Sequence, residues 1–201
     1  MPAPKKKIRR TIHPPEGFVY RPEFLSQDEE RQLLAAIQQL PFEQALFQGY
    51  VAKRRIVAYG VDYSFDTRQV TPGEPFPDFM LRLRNRLGEL LPDVAPDQFV
   101  EGLVTEYTPG TPIGWHRDAP QFGVVCGLSL LSPCRMRLRL ATEEEYEITN
   151  VLLDRRSAYA LTGEARWRWQ HSIPEVKELR YSITFRTLRE KSRISLEEDA
   201  A

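Results

Sequence analysis

The sequence predicts an α+β, mainly-β fold: a double-sheet jelly roll with N-terminal helices packed on one sheet. Three observations predict it. Two amphipathic runs of helical period occupy the first half of the 201-residue chain. After Pro96 the texture changes to short apolar or alternating segments separated by Gly, Pro and charged turns. The helices precede the strands instead of alternating with them, which argues against a doubly wound parallel sheet.

In chain order, residues 1–17 read as a basic disordered tail, with Lys5, Lys6, Lys7, Arg9 and Arg10 clustered between prolines. Such a run is either a solvated tail or an arm that grips phosphates without sequence choice. A helix is expected from Ser26 to Leu40. Ser26 with Glu29 spells a capping box, Leu33, Leu34, Ile37 and Leu40 line one face, and Pro41 stops the run. Val51 to Asp66, rich in Tyr, Val and Phe, suits a hairpin. A second helix is expected from Pro77 to Leu91, with Met80, Leu83, Leu87, Leu90 and Leu91 inward and Pro92 as its end. Strands follow at Phe99–Tyr107, Val124–Leu131, Met136–Leu140, Tyr146–Leu153, Ala158–Thr162, Arg166–His171 and Leu179–Leu188. The clearest alternation sets Arg135, Arg137 and Arg139 against Met136, Leu138 and Leu140, and reads as a solvated strand face over a core face. Residues 18–188 therefore form one domain, and 189–201 a charged tail.

Lys plus Arg balance Asp plus Glu at 28 each, so nucleic-acid binding requires a local patch and not a global positive field. Cys126 and Cys134 sit in a chain with no apolar signal stretch at its start and no run of 18 apolar residues. That predicts a soluble, cytoplasmic protein without a membrane partner, with both thiols free. A monomer is expected.

Chemistry concentrates in three places. His116 and Asp118, if extended, point to one face with α-carbons roughly 6.6 Å apart, a spacing that lets an imidazole and a carboxylate share a metal. Of the three histidines, His13 lies in the tail, so His171 is the remaining third ligand. A satisfied core histidine reads the same way. Two imidazoles and one carboxylate make the facial triad of non-haem Fe(II) oxygenases, and suit zinc as well. In Arg180–Arg186, Tyr181, Ile183 and Phe185 are apolar while Arg180, Ser182, Thr184 and Arg186 fall on the other face. Two guanidinium groups facing one hollow would suit a dicarboxylate, and a solvated strand face is the plainer alternative.

With these motifs, the chain resembles the AlkB family of Fe(II)/2-oxoglutarate dioxygenases over about Phe18 to Leu188: Tyr107-Thr108-Pro109-Gly110, His116-x-Asp118, His171 and the Arg180/Arg186 pair stand in the family's order. The resemblance implies a double-stranded β-helix, with His116, Asp118 and His171 holding Fe(II). It implies 2-oxoglutarate on Arg180 with the Tyr107 hydroxyl, Arg186 near the iron-chelating end, and O2 as cosubstrate. Thr105 and Ser182 stand where Asn is common in the family, and both can still hydrogen-bond. Pro120 stands where many base-repair members place an acidic residue beside the substrate.

The implied activity is oxidative demethylation of alkylated single-stranded DNA or RNA, as in DNA or RNA repair. A protein or small-molecule oxygenase is the alternative, ahead of a zinc hydrolase or a non-catalytic metal-binding module. Trp115, Trp167, Trp169, Tyr59 and Tyr63 are candidates to stack on a base or to fill the core. The segments 51–66 and 67–76 fall where the family covers its substrate.

Overall fold

The computed structural model describes residues 6–47, 50–63 and 70–189. The chain opens with β1 (Lys7–Arg10), β2 (Phe18–Arg21) and helix α1 (Gln27–Ile37), followed by β3 (Glu43–Phe47), β4 (Tyr50–Tyr63), β5 (Val70–Pro72) and helix α2 (Asp78–Arg86). Then come β6 (Phe99–Tyr107), β7 (Ile113–His116), β8 (Phe122–Leu130), β9 (Cys134–Ala141), β10 (Glu145–Leu153), β11 (Ala158–Leu161), the short helix α3 (Gly163–Trp167), β12 (Gln170–Ile173) and β13 (Arg180–Leu188).

Two sheets face each other, as the jelly-roll reading expects. The larger runs β2-β11-β8-β13-β6-β4-β3, with β5 attached to β4, and the smaller runs β1-β10-β9-β12-β7. Every pairing among the described strands is antiparallel except β1 on β10. The two long helices pack on the outer face of the larger sheet. Leu33, Ile37, Met80, Leu83 and Leu87 are buried there against Val104, Leu128, Ile183 and Phe185. Each fully buried side chain of this kind is worth about 1.5–3 kcal/mol relative to exposure. A second cluster fills the space between the sheets, with Met136, Leu138, Leu153, Leu161 and Ile173 buried.

Four elements depart from the sequence expectation. The basic run is not wholly a tail: Lys7–Arg10 adds β1 to the edge of the smaller sheet, where Arg9 ion-pairs with Glu147 at 2.7 Å. Residues 1–5 and 190–201 lie outside the described residues. Of the hairpin expected at 51–66, the described residues 51–63 belong to one strand, because no turn dipeptide interrupts them before Gly60, and β4 pairs with β3, β5 and β6; residues 64–66 lie outside the described residues. The second helix stops at Arg86 and tightens into a 3-10 turn over Leu87–Glu89 at Gly88, a poor helix former. The strand expected at Arg166–His171 is split: Arg168 N–H donates to the Glu164 carbonyl, closing α3, and β12 begins only at Gln170. The Trp-Arg-Trp alternation of 167–169 imitates a strand in sequence. No helix among the described residues is long and apolar enough to cross a membrane.

Candidate metal centre

The smaller sheet brings two of the three candidate ligands together by register. His171 of β12 is paired directly with His116 of β7, and their rings lie 4.2 Å apart between centroids. Asp118 sits two residues beyond the end of β7, and its Oδ2 is 3.6 Å from His171 Nε2. The candidate ligand atoms of His116, Asp118 and His171 all lie within 4.8 Å of one another. A single ion of coordination radius near 2 Å fits between donors at such separations.

Hydrogen bonds orient the ligands. His116 Nδ1 is 2.9 Å from the Gly114 carbonyl. A carbonyl only accepts, so Nδ1 carries the proton and Nε2 keeps its lone pair for a metal. Asp118 is gripped on one side only: Arg186 donates to its Oδ1 from Nε at 2.8 Å and from Nη2 at 2.7 Å. Its Oδ2 is buried and has no hydrogen-bond partner among the described residues. One oxygen is thus held by the protein and the other is left toward the imidazoles.

Electrostatics keep Asp118 and His171 in the protonation states that suit a metal. Burial alone would raise the Asp118 carboxyl, but Arg186, both histidines and Arg166 outweigh it and hold the group well below the usual carboxylate range. Burial, reinforced by the neighbouring His116, lowers His171 to about 3, so its ring is neutral at physiological pH.

The larger sheet supplies the opposite wall. In the register of β13 on β6, Arg180 pairs with Tyr107, Ser182 with Thr105, Thr184 with Leu103 and Arg186 with Glu101. Residues on both sides of the metal triad line one cavity, among them Thr105, Tyr107, Arg180, Ser182 and Arg186. Arg180 is 1% exposed, yet among the described residues its Nε and Nη1 have no hydrogen-bond partner and only Nη2 reaches one, Ser129 Oγ at 3.3 Å. Its guanidinium carbon lies 4.9 Å from the Tyr107 ring centroid. A buried cation with empty donors is costly unless an anion completes it. Arg186 is already satisfied, since Nη1 also donates to Glu101 at 2.6 and 2.8 Å.

Sequence reasoning did not pick out three contributors. Glu101 completes a Glu101–Arg186–Asp118 chain; it has the same strand parity as Thr105 and Tyr107, a signal that was available. Arg166, 2% exposed, donates to the carbonyls of Ala119, Phe122 and Gly123 at 2.7–2.8 Å and so pins the turn that follows Asp118. Arg54 of β4, half-buried, lines the same cavity. Among the aromatic candidates, Trp169 is buried, Tyr59 packs on the core, Trp167 is 41% exposed and Trp115 stacks under two arginines. The Tyr63 side chain and residues 64–69 lie outside the described residues. Pro120 is exposed, and Cys126 and Cys134 are both free and buried.

The comparisons with known proteins agree with this geometry. A family model described as the 2OG-Fe(II) oxygenase superfamily matches residues 17–196. The chain is 29% identical over 195 residues to "Alkylated DNA repair protein ALKBH8 homolog" of Arabidopsis thaliana, covering 80% of this chain and 51% of that protein. It is 27% identical over 167 residues to "tRNA (carboxymethyluridine(34)-5-O)-methyltransferase ALKBH8" of Mus musculus, covering 79% of this chain and 24% of that protein. The chain thus spans about half the length of the first relative and a quarter of the second. The solved structure "The structure of OsALKBH1" superposes with a TM-score of 0.67 at 15% identity, over 87% of this chain and 98% of that one, a likeness of fold.

Proposed function

The chain belongs to the 2OG-Fe(II) oxygenase superfamily, and from that premise we infer that it oxidises an alkyl group carried by a nucleic acid. It is an enzyme that uses Fe(II), 2-oxoglutarate and O2. In this reading His116, Asp118 and His171 hold the iron, while Arg180 and Tyr107, with Thr105 and Ser182 beside them, hold 2-oxoglutarate. The observation that carries the assignment is a matched pair of unsatisfied buried groups in one cavity: the Asp118 Oδ2 acceptor and the Arg180 donors.

When bound, the iron with 2-oxoglutarate and O2 supplies an oxidant that replaces a C–H hydrogen by hydroxyl, releasing succinate and CO2. On an N-methyl group the hydroxymethyl product then sheds formaldehyde. The chain's own residues orient and exclude. Arg180, itself 1% exposed, fixes the distal carboxylate of the cosubstrate by charge-assisted hydrogen bonds. Arg186 and Glu101 hold Asp118 so that one oxygen faces the metal. Arg166 keeps the 119–123 turn, and with it Asp118, in place.

A nucleic-acid substrate is supported by the relatives, whose names refer to alkylated DNA and to tRNA. Repair of a damaged base is not the preferred reading, because exposed Pro120 offers no carboxylate to a substrate base. A protein or small-molecule substrate is the second reading, favoured by that same proline.

Two measurements test these assignments. Thermal stabilisation by 2-oxoglutarate of the Mn(II)-loaded protein should disappear in Arg180→Ala, and stabilisation that survives overturns the cosubstrate site. Succinate release should rise with methylated single-stranded RNA or DNA and not with a methylated peptide. Stimulation by the peptide alone overturns the nucleic-acid reading.

A further inference from the structure

The Arg135, Arg137, Arg139 stripe takes no part in the metal centre. Leu138 pairs with the inward His171, so the alternate residues Arg137 and Arg139 stand on the outer face of the smaller sheet, with Arg135 in phase. Arg10 joins them, since it pairs with Ile148, which pairs with Arg139. Register puts no Asp or Glu on this face: Glu145 and Glu147 fall on the other side of β10. Among the described residues none of these four arginines has an ion-pair partner, whereas Arg9 and Arg86 each have two and Arg55 and Arg155 each have one.

Two of the four are also held rigid. Arg137 donates from Nε to Ser172 Oγ at 3.0 Å, and Arg139 from Nε to Gln170 Oε1 at 2.8 Å. Their guanidinium groups lie 4.9 and 4.4 Å from the Trp115 ring centroid, and Arg139 is 4.9 Å from that of Tyr146. Bonding through Nε and stacking on a ring fix each plane while leaving the terminal amino groups without hydrogen-bond partners among the described residues. That is the fork geometry that matches phosphate oxygens.

We propose that this face docks the phosphodiester backbone of single-stranded RNA, an inference that rests on the nucleic-acid reading above. Charge complementarity carries it: the chain has no net charge, so four arginines without an ion-pair partner among the described residues, on a face whose paired strand positions carry no carboxylate, form the local positive patch that a polyanion requires. Exposed Asn150, paired with Arg137, adds an amide donor and acceptor suited to a ribose 2′-hydroxyl. Trp115 on this face and His116 on the inner face are successive residues of edge strand β7, so the docked strand lies back to back with the metal centre across one strand.

The test is fluorescence anisotropy with the full chain, a 15-nucleotide single-stranded RNA and the DNA of the same sequence, over a range of salt. Arg137→Gln combined with Arg139→Gln should weaken RNA binding about tenfold and lower the slope of log K against log salt by about 1.4, at about 0.7 for each phosphate no longer neutralised. Arg135→Gln, an exposed position whose side chain does not join the Arg137–Ser172 and Arg139–Gln170 bonds, should lower it by about 0.7. Stabilisation by 2-oxoglutarate with Mn(II) should be unchanged in each variant. Unaltered affinity and slope in both variants overturn the surface, even where RNA still stimulates succinate release and the functional reading stands. DNA bound as tightly as RNA overturns the choice of RNA. Absence of RNA binding by the unaltered protein overturns both.

Discussion

At the scale of single residues, the centre is governed by which buried polar groups are satisfied and which are left over. Arg186 and Arg180 lie on one face of β13, yet they differ in kind. Arg186 is saturated by Asp118 and Glu101, while Arg180 keeps two nitrogens unmatched. The first is therefore satisfied by the protein itself, and the second is not. Burial pushes the Glu101 carboxyl up and the Arg186 guanidinium opposes it, so the pair is sensitive to loss of either charge. Glu101→Gln should weaken Mn(II) binding by roughly tenfold, the low end of what outer-shell changes cost, because Arg186 then turns more fully onto the Asp118 carboxylate. Calorimetric titration reads this directly, and an unchanged Mn(II) affinity would show that Glu101 only fills space. His171 gives a second residue-scale expectation. Its folded value of about 3 lies below the ordinary 6.5, so between those values the unfolded chain binds more protons and stability rises with pH. Its contribution is complete above pH 6.5 and is lost as pH falls toward 3. In urea titrations of the metal-free protein, the unaltered chain should therefore lose stability from pH 7 to 5 faster than His171→Gln, by at most about 1.4 kcal/mol per pH unit. Parallel pH profiles would contradict the neutral buried imidazole.

At the scale of elements, local signals worked where one segment contains its own explanation. The α1 capping box is present in both halves: Ser26 N–H donates to Glu29 Oε2 at 2.7 Å, and Glu29 N–H donates to Ser26 Oγ at 3.2 Å. Ser26→Ala should lower stability by about 1 kcal/mol, seen as a shifted urea midpoint with unchanged slope. A midpoint that does not move would mean that tertiary packing of Leu33 and Ile37 alone holds the helix start. Strands β6, β9, β10 and β13 fall close to their expected ranges, because alternation over eight or nine residues is hard to imitate by chance. Short pieces misled. The 167–169 alternation belongs to the end of α3 and the turn before β12, and the described part of the hairpin expected at 51–66 is a continuous strand, since strand propensity does not say how many partners a strand has. Basic Lys7–Arg10 is a strand because β10 offers it an edge, which composition alone does not reveal.

At the scale of the whole molecule, two sheets and a helical layer turn dispersed residues into one cavity. His116 and His171 are 55 positions apart in sequence and are opposed in register, while Arg180 and Tyr107 meet from the facing sheet. The sequence by itself determined the jelly-roll class, the two helices and the candidate ligand types. It also set the strand phase that turns Arg180, Ser182 and Arg186 to one side. These follow from periodicity and from the chemistry of side chains, which are local properties. Only the tertiary structure decided which arginine is saturated and which is vacant, that Glu101 and Arg166 stand behind Asp118, and that Arg135, Arg137 and Arg139 lie on a face without carboxylates. Those outcomes depend on hydrogen-bond satisfaction, burial and register between strands distant in the chain, and no single segment carries that information.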